Sequence, residues 1–511
     1  MFLTIARQRL GFGGLLAALA AAALSTPAAA QAPAPAVAAA PYAQLDPIFA
    51  AYQRDNNIPG LVYGVVVDGR LAHVKSFGVQ DLAARRPVGP DTLFRIASMT
   101  KAFTALSVLS LRDQGRLSLD APVETYVPEL RGWRYPTADS PRIRVRDLLH
   151  HTAGFVTDDP WGDRQQPLPE AEFTAMLRAG VPFSSPPGGR MEYSNFGYAL
   201  LGRVVANVSG APYRTYVERT LLEPLGMRSS GFEVTEQPLP RRAVGYRWEN
   251  GAWAEEPTMR HGAFGAMGGL QTSANDYARY VAWLLSAWPP RDGAETGPLK
   301  RSTVRELVQG ANFAALQQRT LNGQPCSQTV AYGMGMRIVG DCELGTVLTH
   351  GGGYPGYGSG MLLLPERGVG LFVFGNRTYG GGSEALWRAA SALNKAGLLP
   401  DRPNPMSPAL VDAYAAARSI YRAGDVMAAR GRLADNVLLD RSAPSWRREL
   451  AAIKGQVGEC PNEAPPVAWG AMAANFRWLC ERGAVDGSIL LAPTNPATIQ
   501  QLRLTVSPPP K

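Results

Sequence analysis

Lysine is scarce in this chain: of its 51 basic residues, 45 are arginine and only six are lysine. Cysteine is scarcer still, with four in 511 residues. No two cysteines form a C-x-x-C pair, and the only histidine near them in sequence is His350, so a zinc site is not expected. Beyond residue 30 no apolar run is long enough to cross a bilayer, which excludes a stable membrane anchor. The basic residues are scattered and form no block of like charge, which argues against nucleic-acid binding. No period of self-similarity marks a repeat protein. At 46% hydrophobic and 18% charged residues, the composition excludes a disordered chain.

Residues 1–30 read as an export leader. Arg7 and Arg9 form a positive start, Leu10 to Leu24 a short apolar run, and Ala28-Ala29-Ala30 a cleavage site before Gln31. Cleavage removes two arginines and no acid, so the formal charge falls from +9 to +7. A periplasmic or secreted location follows. There the cysteines are expected to pair locally, Cys326 with Cys342 and Cys460 with Cys480. A mildly basic surface could suit an acidic partner such as the cell wall.

The length suits two folded domains. Residues 31–44 are an Ala/Pro-rich lead-in. Leu45–Gln53 reads as a helix, and Gly60–Val67 and Leu71–Phe77 as strands joined by the hairpin turn Asp68-Gly69. Helices are expected at Ser98–Gln114, Val145–Leu149, Glu170–Ala179, Asn195–Val208 and Tyr213–Leu221, several of them ended by glycine. Strands return at Tyr332–Val339, Val347–Thr349, Gly358–Leu364 and Gly368–Asn376, before a closing helix at Glu384–Ala396. Strands at both ends with helices between predict an α+β domain over 45–399, one mixed sheet built from the two chain ends with a helical region inserted, and the active site at the seam. A proline-rich boundary precedes a small α+β domain at 408–511. Helices are expected there at Pro408–Ala423, Met427–Arg432 and Pro466–Ala474, and strands at Phe476–Glu481, Ser488–Pro493 and Gln501–Val506.

Three segments carry chemistry. In Ser98-Met99-Thr100-Lys101, the serine and lysine share one helical face, so the amine can activate the hydroxyl. A lysine inside the apolar run Ala102, Phe103, Leu106, Val108, Leu109 is unusual in so lysine-poor a chain; the plain alternative is a snorkelling surface side chain. Tyr193-Ser194-Asn195 opens a helix. Tyr193 could relay a proton if a nearby lysine lowered its pKa, and Asn195 could bind a substrate carbonyl, although Asn or Ser there also serves as an ordinary N-cap. His350-Gly351-Gly352-Gly353 follows a strand, and its glycines would let a substrate backbone approach; a plain turn is the alternative. It lacks the G-K-[ST] ending of a phosphate loop. His150-His151 reads as a helix end with structural hydrogen bonds, because adjacent helical residues diverge and do not make one metal site.

In this order the motifs S-x-x-K, Y-x-N and H-x-G resemble the penicillin-recognising serine hydrolases: class C β-lactamases, D-alanyl-D-alanine carboxypeptidases, D-aminopeptidases and family VIII carboxylesterases. Leu148–Gly154, Glu223–Met227 and Gly268–Ser273 are similar to further segments of that family. The resemblance covers about residues 45–397. It implies that the sheet is antiparallel, that Ser98 is acylated, that Lys101 and Tyr193 share base and acid work, and that Asn195, His350 and Gly352 contact substrate. Backbone N–H groups of Ser98 and Gly353 would form the oxyanion hole. No cofactor or metal is implied. Many family members carry K-T-G where this chain has His350-Gly351-Gly352, so an ester or D-amino-acid peptide is a better expected substrate than a β-lactam. A catalytically silent, wall-binding relative is the alternative reading.

Overall fold

The computed structural model describes residues 41–400, 402 and 404–507. The expected leader, and the lead-in up to residue 40, lie outside the described residues. The main sheet starts with β1 (Gly60–Val67), β2 (Arg70–Asp81) and β3 (Arg86–Pro87). It resumes more than two hundred residues later with β4 (Asn312–Leu321), β5 (Gln324–Tyr332), β6 (Arg337–Asp341), β7 (Gly345–Tyr354), β8 (Tyr357–Leu364) and β9 (Val369–Gly375). The antiparallel strand order is β3-β2-β1-β9-β8-β7-β6-β5-β4, so the chain ends meet where β1 pairs with β9, Leu61 opposite Gly375. This is the expected sheet of two chain ends.

β1 is buried on both faces, which explains its unbroken apolar sequence. Val62 and Val66 face the inserted helical region with Phe372, Phe374 and Met361. Leu61, Tyr63 and Val65 face the opposite side, where α1 (Asp46–Asp55) and the closing helix cover the sheet. At the centre of the helical region lies α2 (Thr100–Asp113), buried at every position from Thr100 to Leu111. A helix buried all round belongs inside a domain, and this one, which buries Lys101 among its apolar residues, brings the Ser98 segment against the sheet.

The sequence expectations depart from the structure in identifiable places. The single strand expected at Tyr332–Val339 is two strands, β5 and β6, separated by a turn at 333–336. The β4–β5 hairpin was not expected, although its turn, Asn322-Gly323, is a strong hairpin signal. β7 runs through the glycines to Tyr354 instead of stopping at Thr349.

The C-terminal region carries a second sheet, β10 (Asn462–Ala468), β11 (Ala473–Cys480), β12 (Gly483–Leu491) and β13 (Ile499–Ser507), paired in that order. Its own apolar core includes Trp478, Phe476, Ile420 and Leu450. The helix expected at Pro466–Ala474 is instead strand and turn. Its alanines mislead, whereas Pro465 and Pro466 fit an edge strand such as β10. A helix at Ala443–Val457 was overlooked, although Trp446, Leu450, Ile453 and Val457 form its buried stripe.

Cys326 on β5 is bonded to Cys342 in the β6–β7 turn, and Cys460 to Cys480. Among the described residues no helix is long and apolar enough to cross a membrane. Replacing Cys326 and Cys342 together by alanine is expected to lower the unfolding free energy by about 3 kcal/mol, the chain-entropy value for a loop of this size. Urea titration of the two proteins measures the difference.

Candidate active site

Ser98 lies on a tight turn just before α2. A short strand pair, Phe94–Arg95 with Gln271–Thr272, anchors the approach. Ile96 N–H donates to Leu270 O at 3.0 Å, and Leu270 N–H donates to Thr100 Oγ1 at 3.1 Å. Ala97 adopts φ +49°, a left-handed conformation uncommon outside glycine. A 3₁₀ turn over Ala97–Met99 then leads into the helix. The helix expected from Ser98 therefore begins at Thr100.

Lys101 is fully buried. Its Nζ lies 3.0 Å from Ser98 Oγ, 2.7 Å from Asn195 Oδ1 and 2.9 Å from Met267 O. The snorkelling alternative is thereby excluded. Burial lowers the Lys101 pKa to about 8, partly opposed by the carboxylates of Asp159, Asp163 and Asp158. When the ammonium loses a proton, two positions on nitrogen remain committed, because Asn195 Oδ1 and Met267 O can only accept. The lone pair is left facing Ser98.

Asn195 is the first residue of the next helix at the site (Asn195–Ser209), and Ser194 is its N-cap, its Oγ accepting from Gly197 N–H at 3.2 Å. Asp158 accepts from the N–H groups of Asn195 and Phe196 at 2.6 and 2.9 Å. The Asn195 side chain donates to Asp159 Oδ1 at 3.1 Å while its carbonyl oxygen holds Lys101. It is fully buried. Its carbonyl oxygen is held by Lys101 and one of its two amide N–H groups by Asp159, so it orients Lys101 and keeps one donor.

Tyr193 lines the same cleft as Ser98. Lys101 Nζ sits 4.8 Å from its ring centroid. The phenol pKa expected to be lowered by a nearby lysine is raised instead. Burial first, then Tyr332 and Asp159, push the Tyr193 pKa well above its usual value, so the phenol stays protonated. His350 is buried on the opposite wall. Its Nδ1 contacts Gly351 O at 2.6 Å and its Nε2 the hydroxyl of Tyr332 at 3.0 Å. With Nδ1–H donating to the carbonyl, Nε2 accepts from the phenol. Burial, with Lys101 and Arg337 nearby, lowers its pKa to about 3, so the ring is neutral. His150 Nδ1 donates to Gly333 O at 3.0 Å, and His151 Nδ1 accepts from Ser194 N–H at 3.1 Å.

β6 pairs with β7 only as far as Thr349, opposite Arg337. From His350 onward, that edge of β7 is therefore free of β6 beside the Ser98 turn. Gly351 and Gly353 line the cleft there. Gly352 does not, contrary to the expected substrate contact. It is buried against the turn, where a Cβ would come within 2.1 Å of Ser359 Oγ and 2.3 Å of Ile96 O. A Cβ on Gly353 would meet the Tyr379 ring at 2.6 Å. The cleft has a volume of about 720 Å³ and brings together Ser98, Tyr193, His350 and Gly353.

Several cleft residues were not anticipated. Arg337 is exposed on the wall, and no ion pair involves it among the described residues. Asp159 and Asp163 line the facing wall, and Asp163, its pKa raised by burial to about 7, accepts from Tyr379 OH at 3.0 Å. Asp158-Asp159-Pro160 does read as a helix start, but nothing local aims it at Ser98.

The Beta-lactamase family model matches residues 45–395. Protein Rv1367c of Mycobacterium tuberculosis is 31% identical over 303 residues, covering 53% of this chain and 73% of that protein. Protein flp of Staphylococcus aureus is 27% identical over 341 residues, covering 65% of this chain and 62% of that one. Among solved structures, an octameric penicillin-binding protein homologue from Pyrococcus abyssi has a TM-score of 0.59 at 22% identity, covering 88% of this chain and 90% of its own. A class C beta-lactamase has a TM-score of 0.56 at 22% identity, covering 69% and 96%. At these identities the structural likeness is one of fold.

Gly352→Ala is expected to push β7 off the Ser98 turn and to cost about 1–3 kcal/mol, the usual range for overpacking a filled site. Thermal denaturation beside the unchanged protein reads it; an unshifted midpoint would show that the contact yields freely.

Proposed function

The chain belongs to the beta-lactamase family of serine hydrolases, and on that footing we propose that it is exported and acts through an acyl-Ser98 intermediate. The observation that carries this reading is the buried Lys101 Nζ, 3.0 Å from Ser98 Oγ, with its other two positions held by acceptors. Neutral Lys101 takes the Ser98 proton as Oγ attacks a substrate carbonyl. The N–H groups of Ser98 and Gly353 receive the developing oxyanion. Tyr193, kept protonated by its surroundings, gives its proton to the leaving oxygen or nitrogen as its bond to the carbonyl carbon breaks, and regains one from Lys101. Water then attacks the acyl-enzyme, with Lys101 again as base. Asn195 is a positioning residue that orients Lys101.

Substrate preference follows from the wall. A neutral His350 stands where a lysine would supply a fixed charge, and Arg337 is the available cation facing the cleft. An ester or D-amino-acid peptide fits this wall better than a β-lactam that relies on such a lysine. Export is supported by the leader-like residues 1–30 and by the two disulfides. The division at 399–408 is proposed as a domain boundary, with the C-terminal region as an accessory module. A silent wall-binding protein has no physical use for a buried lysine beside a serine.

A fluorophosphonate probe is expected to label Ser98, and Ser98→Ala to lose the adduct while keeping its melting transition; an adduct that persists in the variant would falsify the assignment. With p-nitrophenyl acetate, kcat/KM is expected to rise with pH and level off above about 8, because only deprotonated Lys101 is a base and its pKa is depressed to that value. A profile that stays flat, or falls, as the pH rises toward 8 would remove Lys101 from that role.

A further inference from the structure

The two ends of the cleft differ. At the Gly353 end, Tyr379 bridges the walls. Its ring lies where a Cβ of residue 353 would be, and its hydroxyl donates to Asp163 Oδ2 at 3.0 Å. Tyr379 holds φ +56°, strained for an aromatic residue, and three glycines follow it. At the Thr349 end nothing comparable intervenes among the described residues. There the cavity passes over Val330 and Val339 to Trp387 on the closing helix, Ser383–Lys395.

Trp387 also lines a second cavity, of about 900 Å³, between that helix and β4. Its charged groups are largely paired. Arg319 bonds Asp341 at 2.8 Å and Glu343 at 2.6 Å, and Arg388 lies 3.9 Å from Glu384. Lys395 remains at the end of the helix. The indole is half-buried, with Arg319 5.4 Å from its ring centroid. Between these charges stand neutral hydrogen-bonding groups, Thr320 and Asn322 on one side and Ser391 and Asn394 on the other, the last two donating to Glu343 at 2.7 and 3.3 Å. An indole beside amides, hydroxyls and paired charges matches a ligand with an apolar ring face and many hydroxyl or amide groups.

We propose that the catalytic cleft continues past Trp387 into this groove, and that the groove seats a saccharide carried by the substrate. The inference rests on the acyl-serine reading for its purpose, but its test does not require turnover. Tyr379 closes one direction, so a long substrate extends toward Trp387. The acyl group then reacts at Ser98 while the sugar rings stack at the indole. Such a groove favours glycan-bearing esters or peptides over short esters.

Titration calorimetry of the full chain with triacetylchitotriose is expected to show saturable binding with Kd on the order of 1 mM. Ala392→Trp, which fills the groove, and Trp387→Ala should each weaken it at least about tenfold while keeping a melting transition. A photoreactive trisaccharide on the unaltered protein should crosslink to the closing helix or to β4, which keeps the proposal testable if either variant misfolds. No heat with the sugar, binding unchanged in both folded variants, or crosslinks elsewhere would each overturn it. Binding of tetra-alanine amide in place of the sugar would overturn it in favour of a peptide subsite. Fluorophosphonate labelling, run in parallel, reads Ser98 separately, so failure of the groove and failure of the acyl-serine are distinguishable.

Discussion

The amine of Lys101 is held by two oxygens that cannot donate, Asn195 Oδ1 and Met267 O, and this constraint orders the rest of the site. They determine which way the nitrogen lone pair points once a proton leaves. Burial alone would depress the pKa further. The acids on the neighbouring segment pull it back to about 8, close enough to neutrality for a useful fraction of base. Each holder depends on something larger. Asn195 is fixed by the helix start that Asp158 and Ser194 cap. Met267 belongs to the segment that also ties down the Ser98 turn through Leu270.

The sheet side of the cleft follows a complementary logic. Close approach of β7 to the turn requires a residue without a Cβ at Gly352, and seating Tyr379 requires the same at Gly353. The glycines act through what they allow to come near. The histidine before them is neutral and occupied on both ring nitrogens, which makes it a wall and a support for Tyr332.

Much of this could be read from residue order. The sheet of two chain ends followed from strand patterns flanking a helical stretch, and Ser98, Lys101, Tyr193 and His350 stand together in space. Side-chain direction was not legible. That Asn195 also holds Lys101 could not be read, because its direction is decided by Asp159 and Lys101, remote in sequence or on another element. Tyr193 was expected to be acidified by a lysine, but that lysine lies over the ring face and burial raises the phenol pKa. Arg337 and Asp163 had no local signature, since their importance comes only from strand pairing and helix packing. The overlooked β4–β5 hairpin did carry a signal, Asn322-Gly323.

The pairing of β1 with β9 joins segments separated by more than three hundred residues. Ser98 and Lys101 are made early, but the strand that walls them comes about 250 residues later. Closing so long a loop is an intrinsically late event in folding. A partly synthesised chain therefore holds Ser98 and Lys101 side by side without the wall that makes a cleft of them. The pocket comes into being only when the whole sheet has closed.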